Sequence, residues 1–423
     1  MIKCMIKKIK IPYGREEIEY SLNINPGVKL KILKPKEKNE LLNLPEKIKK
    51  ELNSPINTLP LKNLATDKKN VCIVIDDITR PLPSRLILPF VVAEIEKGGV
   101  KKENIKIIIA LGLHRPLTAK EKEYLAGPIY QEIKVFNHNP YKNLKYLTKT
   151  KWDSKVYLNR YFLESDLKII ISDIEYHQLF GYGGGTKSIH PGIADADSIK
   201  DIHSWLDLPN VEAGVLKGNQ LREEIERIGK IANVDFSINV VLNSKKEICG
   251  IFCGELSKAF YQGVKLVDQM YRIKIKNPVD TVIVSPGGHP RDIDLYQSQK
   301  SVESAKKIVK YQGKIILLAE CSEGWGSKLF ERWIKQAKNP EEIITRIKKE
   351  FFMGAHKAYQ WAKALNWAQI YIYSKMAPSE LKHTFLQPIE LKKINELIKS
   401  DKNIVVLPFG TITMPLIKQG KII

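Results

Sequence analysis

No apolar stretch in the 423 residues approaches the roughly 20 positions that a bilayer-spanning helix needs, so no membrane span is expected. Cysteine is scarce. The five present, Cys4, Cys72, Cys249, Cys253 and Cys321, are odd in number, widely spread and follow no secretory leader, which predicts a reducing, cytoplasmic setting. The one close pair, Cys249 and Cys253, has no second pair to complete a tetrahedral zinc site, so both read as small apolar side chains near a strand. Internal repeats and low-complexity tracts are missing, which excludes solenoid architectures.

Acidic charge is also in short supply, 47 Asp and Glu against 69 Lys and Arg, a formal excess of +22. Such an excess admits nucleic acid, an anionic membrane or acidic small molecules as partners. The basic runs, such as Lys7-Lys8, Lys47-Ile48-Lys49-Lys50 and Lys68-Lys69, are scattered and carry no interleaved aromatic platform for stacking bases. A dispersed, solvated lysine surface is expected, with neither nucleic acid nor membrane as partner.

What the sequence does have is a series of short β-branched runs: Val71 to Ile75, Ile105 to Leu111, Leu167 to Ser172, Ile238 to Leu242, Asp280 to Ser285, Lys314 to Ala319, Gln369 to Tyr373 and Asn403 to Pro408. Helix-length amphipathic segments separate most of them, for example Leu86 to Lys97 and Ser301 to Tyr311. Continuous apolar strands alternating with helices predict an α/β fold, with mostly parallel sheets flanked by helices. The length favours two domains. Glu255 to Ile273 reads as one long helix, and the polar Lys274-Ile275-Lys276-Asn277-Pro278 that follows sets a predicted boundary between domains 1–273 and 274–423. The stretch up to about Ser54, with a hairpin-like part from Ile6 to Leu22, reads as a cap or edge element.

In open α/β sheets, ligands gather at the carboxyl ends of strands. After Val71 to Ile75 come Asp76-Asp77-Ile78-Thr79-Arg80-Pro81, which offer carboxylates for sugar hydroxyls and a planar guanidinium for an anion, or simply a helix cap with a local ion pair. After Ile105 to Leu111 stands Gly112-Leu113-His114-Arg115, whose imidazole has a pKa suited to proton transfer, although a lone loop histidine is more often just hydrogen bonded. After Leu167 to Ser172 come His177 and then Gly181-Tyr182-Gly183-Gly184-Gly185-Thr186-Lys187-Ser188-Ile189-His190-Pro191-Gly192. Glycines let backbone amides approach an anion, and Lys187 can pair with it or react. A nucleotide P-loop needs glycine before the lysine, and Thr186 stands there; the dinucleotide pattern fails at the same residue. His203 follows in Asp201-Ile202-His203-Ser204-Trp205, unremarkable by composition. In the second half, Ser285-Pro286-Gly287-Gly288-His289-Pro290 is turn chemistry, and Asp294-Leu295-Tyr296-Gln297-Ser298-Gln299-Lys300 opens a helix. Trp361, near Gly354-Ala355-His356-Lys357, reads as core when taken alone.

Taken in order, Asp77-Ile78-Thr79-Arg80-Pro81, Gly112-Leu113-His114-Arg115, His177 with the glycine loop and Lys187, Pro191-Gly192, His203, then Tyr296-Gln297 and Lys300, resemble the nickel-dependent lactate racemase family over most of the chain. The resemblance implies an isomerase with two α/β domains closing on an active site in the interdomain cleft. It implies a nickel-pincer nucleotide, pyridinium-3,5-bisthiocarboxylic acid mononucleotide with nickel, linked to Lys187, with His203 completing the metal coordination. His114 and His177 would be the alternate acid and base while hydride leaves the Cα of a 2-hydroxyacid and returns to either face of the planar 2-oxoacid. Arg80, Gln297 and Lys300 would anchor the substrate carboxylate, and Asp77, Tyr296 and Trp361 would contact cofactor or pocket. Cofactor biosynthesis proteins would load the enzyme. One departure stands out: family members often show a Ser-Gly-Gly-Arg-Lys-like run where this chain has Gly-Gly-Gly-Thr-Lys-Ser-Ile-His, so the substrate is expected among lactate and related hydroxy or sugar acids. A nucleotide-dependent phosphotransferase using the glycine loop is the alternative from another class.

Overall fold

The computed structural model describes residues 5–350, 352 and 354–417, so Cys4 lies outside the described residues. The chain divides into two compact units, Glu37–Gln269 and a second made of Met1–Lys36 with Met270–Ile423.

The Glu37–Gln269 unit is built on a six-stranded sheet in the order Ile248–Gly254, Phe236–Leu242, Leu167–Asp173, Val71–Asp76, Ile105–Ala110, Lys134–Asn137. Only the first pairing is antiparallel. The central strands are apolar without alternation because both faces are covered. Ile73, Ile75, Ile107, Ile109, Ile169 and Ile171 are fully buried in one cluster with Ile87, Leu88, Val91, Val92 and Ile95 of the helix Ser84–Lys97. Those helix positions recur at intervals of three and four, one apolar stripe, and each such side chain contributes about 1.5–3 kcal/mol relative to exposure. Apolar sequence ends where Asp76 and Asp173 end their strands, which puts buried carboxylates at the carboxyl edge of the sheet.

The other unit carries a six-stranded, all-parallel sheet in the order Gln387–Pro388, Gln369–Tyr373, Val309–Leu318, Val279–Val284, Asn403–Leu407, Lys29–Ile32. The sequence expectation placed the first residues with the domain 1–273; the structure differs. Lys29–Ile32 is the edge strand beside Asn403–Leu407, and the antiparallel hairpin of Met5–Tyr13 and Glu16–Ile24 buries Ile9, Ile11, Tyr13, Leu22 and Ile24 against Ile283, Ile316 and Ile404. The expected boundary after residue 273 falls four positions beyond the observed break at Gln269/Met270. The long helix runs Leu256–Tyr271. The helix expected from Ser301 to Tyr311 runs instead over Leu295–Lys306: Asp294 caps it by accepting the Gln297 amide, and Tyr311 lies in the next strand. Cys72, Cys249, Cys253 and Cys321 are free and buried. Among the described residues no helix is long and apolar enough to cross a membrane.

Candidate active site

Val71–Asp76 and Leu167–Asp173 pair in parallel, so their terminal carboxylates meet. The Asp173 amide donates to Asp76 Oδ2 at 3.2 Å and the Ser188 hydroxyl donates to Asp76 Oδ1 at 2.8 Å. Burial raises the pKa of Asp76, opposed by Lys187 and the Ser188 hydrogen bond. Burial also raises that of Asp173, to well above the usual carboxylate range, with Glu175 and Asp76 adding like-charge repulsion. Asp173 Oδ1 is buried with no hydrogen-bond partner among the described residues. Counter-charge comes from Arg80, whose Nη1 donates to Glu175 Oε1 at 2.8 Å.

The glycine loop delivers Lys187 to this acidic edge. The loop makes one 3₁₀ turn, Gly185–Ser188, with the Gly185 amide donating to Ser172 Oγ at 3.0 Å. Gly184 has φ +75°, and a Cβ there would stand 2.7 Å from the Asp173 carbonyl oxygen, so only glycine lets the loop lie this close to the strand. Burial and the neighbouring Arg80 charge lower the Lys187 pKa to about 8, although Asp76, Glu175 and Asp77 pull the other way. A part-buried amine at that value is a nucleophile near neutral pH, as an ordinary lysine is not.

Three histidines each have Nδ1 held by a defined partner. His114 Nδ1 lies 2.5 Å from Asp77 Oδ2, and Asp77 Oδ1 accepts the Thr79 hydroxyl at 2.6 Å. Burial raises the Asp77 pKa, but the bonds from His114 and Thr79 outweigh it and hold the carboxylate below its usual range. His177 Nδ1 accepts the backbone amides of Leu179 and Phe180, each at 3.2 Å. His203 sits in the last turn of the helix Ala196–Ser204, which Asp195 caps by accepting the Ser198 amide. Its Nδ1 lies 2.7 Å from the Ile199 carbonyl, an acceptor only, so Nδ1 carries the proton and Nε2 the lone pair. Burial lowers the His203 pKa to about 4, so the ring is neutral. The Phe180 ring lies 5.2 Å from that of His177 and 5.4 Å from that of His203, centroid to centroid, which brings the two imidazoles to one place.

In the other unit, the part-buried Tyr296 and Gln297 occupy the first turn of Leu295–Lys306, and the exposed Lys300 follows one turn later. Trp361 is fully buried, packs edge-on to Phe330 and donates its indole N–H to the Thr384 carbonyl at 3.0 Å. Its one polar atom is thereby used within the fold; the resemblance implies a cofactor or pocket contact for the same ring.

Several residues at these sites escaped a role in the sequence reading. Asp76, Asp173 and Glu175 stood beside recognised motifs, and their signal was a polar residue ending an apolar strand. Ser188 and Phe180 gave none. Lys357 is buried, donates to Gln299 Oε1 at 3.0 Å and lies 5.4 Å from the Tyr296 ring centroid, yet reads in sequence as an ordinary helix lysine.

The family description "Lactate racemase N-terminal domain" matches residues 13–214, and "Lactate racemase C-terminal domain" matches residues 274–413. The lactate racemase of Thermoanaerobacterium thermosaccharolyticum is 33% identical over 420 residues, covering 95% of this chain and 97% of that protein. This chain belongs to the lactate racemase family. The lactate racemase of Lactiplantibacillus plantarum is 30% identical over 304 residues, 71% of each chain. The structure of the T. thermosaccharolyticum lactate racemase apoprotein superimposes with a TM-score of 0.87 at 30% identity, covering 98% of this chain and all of that one. A Thermotoga maritima protein at 18% identity shares the fold, with a TM-score of 0.60 over 88% of this chain and 98% of its own. As a member of the family the chain is an isomerase, a racemase acting on a small molecule.

Proposed function

We propose that the chain racemises or epimerises the C2 centre of a 2-hydroxyacid, lactate or a related hydroxy or sugar acid, with a nickel-pincer nucleotide attached to Lys187. The observation that carries this reading is Lys187 itself, an amine with its pKa lowered to about 8 at the end of a glycine loop. The residues fit the group. Lys187 would hold the nucleotide covalently and His203 would contribute one donor to its nickel. His203 suits that position, because its Nδ1–H is tied to a carbonyl and Nε2 is the coordinating lone pair. When bound, the group supplies the acceptor for the hydrogen at the substrate Cα.

The chain's own residues handle the rest. His114 presents Nε2 to take the hydroxyl proton, and Asp77 compensates the charge that forms. A second group, His177, is needed because the two enantiomers present their hydroxyls from different sides. Arg80 keeps donors beyond the one committed to Glu175 and can share its guanidinium with the substrate carboxylate; the family resemblance gives Gln297 and Lys300 the same task and Tyr296 a contact with cofactor or pocket. The setting is cytoplasmic, with cofactor biosynthesis proteins loading the site. The phosphotransferase alternative loses ground: the turn Gly185–Ser188 does not run on into a helix, so no helix N-terminus stands behind Lys187 to hold a phosphate.

Intact mass spectrometry tests the reading. Protein made in cells that synthesise the nucleotide shows an adduct, and Lys187→Ala shows neither adduct nor racemisation. Active wild-type protein with unmodified mass overturns the attachment.

A further inference from the structure

The two histidines assigned to proton transfer are anchored through the same ring nitrogen by partners of opposite kind. His114 Nδ1 faces a buried carboxylate oxygen of Asp77 at 2.5 Å, an acceptor held below the usual carboxylate range and steadied by Thr79 through its second oxygen. A carboxylate so held demands that Nδ1 be the N–H, which leaves the lone pair at Nε2. His177 Nδ1 faces two donors, the amides of Leu179 and Phe180. Two N–H groups demand a lone pair at Nδ1, which puts the proton of the neutral ring at Nε2. The orientation of the His177 ring is fixed by the same contacts, because flipping it would point a C–H at both amides.

We infer that His114 and His177 are held in opposite tautomers, with Asp77 as the positioning residue for His114 and the 179–180 amides as the positioning groups for His177. At rest the neutral His114 ring has its lone pair at Nε2, and the neutral His177 ring has its proton there. A substrate hydroxyl proton therefore moves to His114 Nε2, giving an imidazolium whose charge the Asp77 carboxylate balances. His177 reaches its imidazolium form only by losing both amide hydrogen bonds, so a change of role at His177 is coupled to movement of the Gln178–Phe180 backbone. The histidine pair is asymmetric by construction, although the reaction it serves interconverts mirror images. Asp77 thus acts through His114, a role beyond the cofactor contact that the resemblance implies. This inference rests on the reading that these two histidines handle the hydroxyl proton.

Ring-nitrogen NMR of the apo chain labelled with 15N-histidine tests it without cofactor or turnover. His114→Gln and His177→Gln assign two of the eight rings. The expected result is a protonated Nδ1 in His114 and a protonated Nε2 in His177; the same tautomer in both, or averaged signals in both, overturns the inference. Asp77→Asn replaces the acceptor by an amide able to donate to Nδ1. It is expected to move the His114 proton to Nε2 and to lower kcat/KM of the loaded enzyme by about 10³-fold, with Asp77→Glu restoring tautomer and part of the rate. An Asp77→Asn protein that loses activity while the His114 signals stay unchanged shows a merely structural role and also overturns the inference. Failure of the broader reading has a different signature, active protein without a Lys187 adduct, which leaves the NMR result intact.

Discussion

The two units use similar parallel sheets to different ends. At the carboxyl edge of Glu37–Gln269, titratable side chains hold one another: Asp76 with Asp173 and Ser188, Arg80 with Glu175, Asp77 with His114, and Asp76, Asp77, Arg80 and Glu175 all act on Lys187. In the other unit the corresponding positions are a helix entrance, with Tyr296 and Gln297 part-buried and Lys300 exposed. Interlocked charges fix geometry and shift pKa values, which is what a reacting centre needs. A flexible lysine and a first-turn glutamine hold an anion without tuning it. On the proposed reading, chemistry belongs to the first unit and anchoring to the second.

The sharpest way to break this division is to remove one residue from each side. His177→Gln is expected to lower kcat by about 10²–10⁴-fold. Lys300→Met is expected to leave kcat near wild type and to raise KM by about 10–100-fold, the loss of a charge-assisted hydrogen bond. Steady-state kinetics on the loaded enzyme separates the two, and an equal fall in kcat for both erases the division.

Trp361 sharpens the comparison from the stability side. With its indole buried and its N–H on Thr384, Trp361→Ala is expected to cost about 3–5 kcal/mol, read as a lower urea midpoint of the apo chain. A variant with unchanged midpoint and raised KM would assign Trp361 to the pocket and not to the core.

A smaller effect concerns Lys187 itself. Burial and Arg80 disfavour the charged amine, so its neutral fraction grows tenfold per pH unit up to about 8 and levels off above, whereas exposed lysines titrate near 10.5. Mass-mapped amine labelling of the apo chain is expected to show that early midpoint at Lys187. Arg80→Gln removes a like charge and moves the midpoint upward; a Lys187 midpoint near 10.5 in the wild type removes the case for an activated amine.

How much of this was legible in the sequence depended on range. Strands announced themselves because a sheet covered on both faces needs unbroken apolar runs, and Gln369–Tyr373 matched to the residue. The placement of Lys29–Ile32 beside Asn403–Leu407 was not legible, since a short, mostly exposed edge strand carries no pattern naming a partner some 370 positions away. The helix at Leu295 was read six residues late because its first turn is polar and its start is set by the Asp294 cap. At the site, residue types and order were visible, and the pairings were not. Asp77 meets His114 because adjacent strands bring them together across 37 positions, and His177 meets amides that have no side-chain signature at all. Family resemblance supplied the roles for which spacing gave no warrant, His203 above all.

The most direct measurement is turnover of a single enantiomer of lactate or another 2-hydroxyacid by loaded enzyme in heavy water, followed by optical rotation and by mass. Racemisation with the Cα hydrogen retained is the predicted result. Racemisation with extensive deuterium at Cα would contradict the account, because the hydrogen would then leave as a proton and the chemistry assigned to the Lys187 site would be wrong.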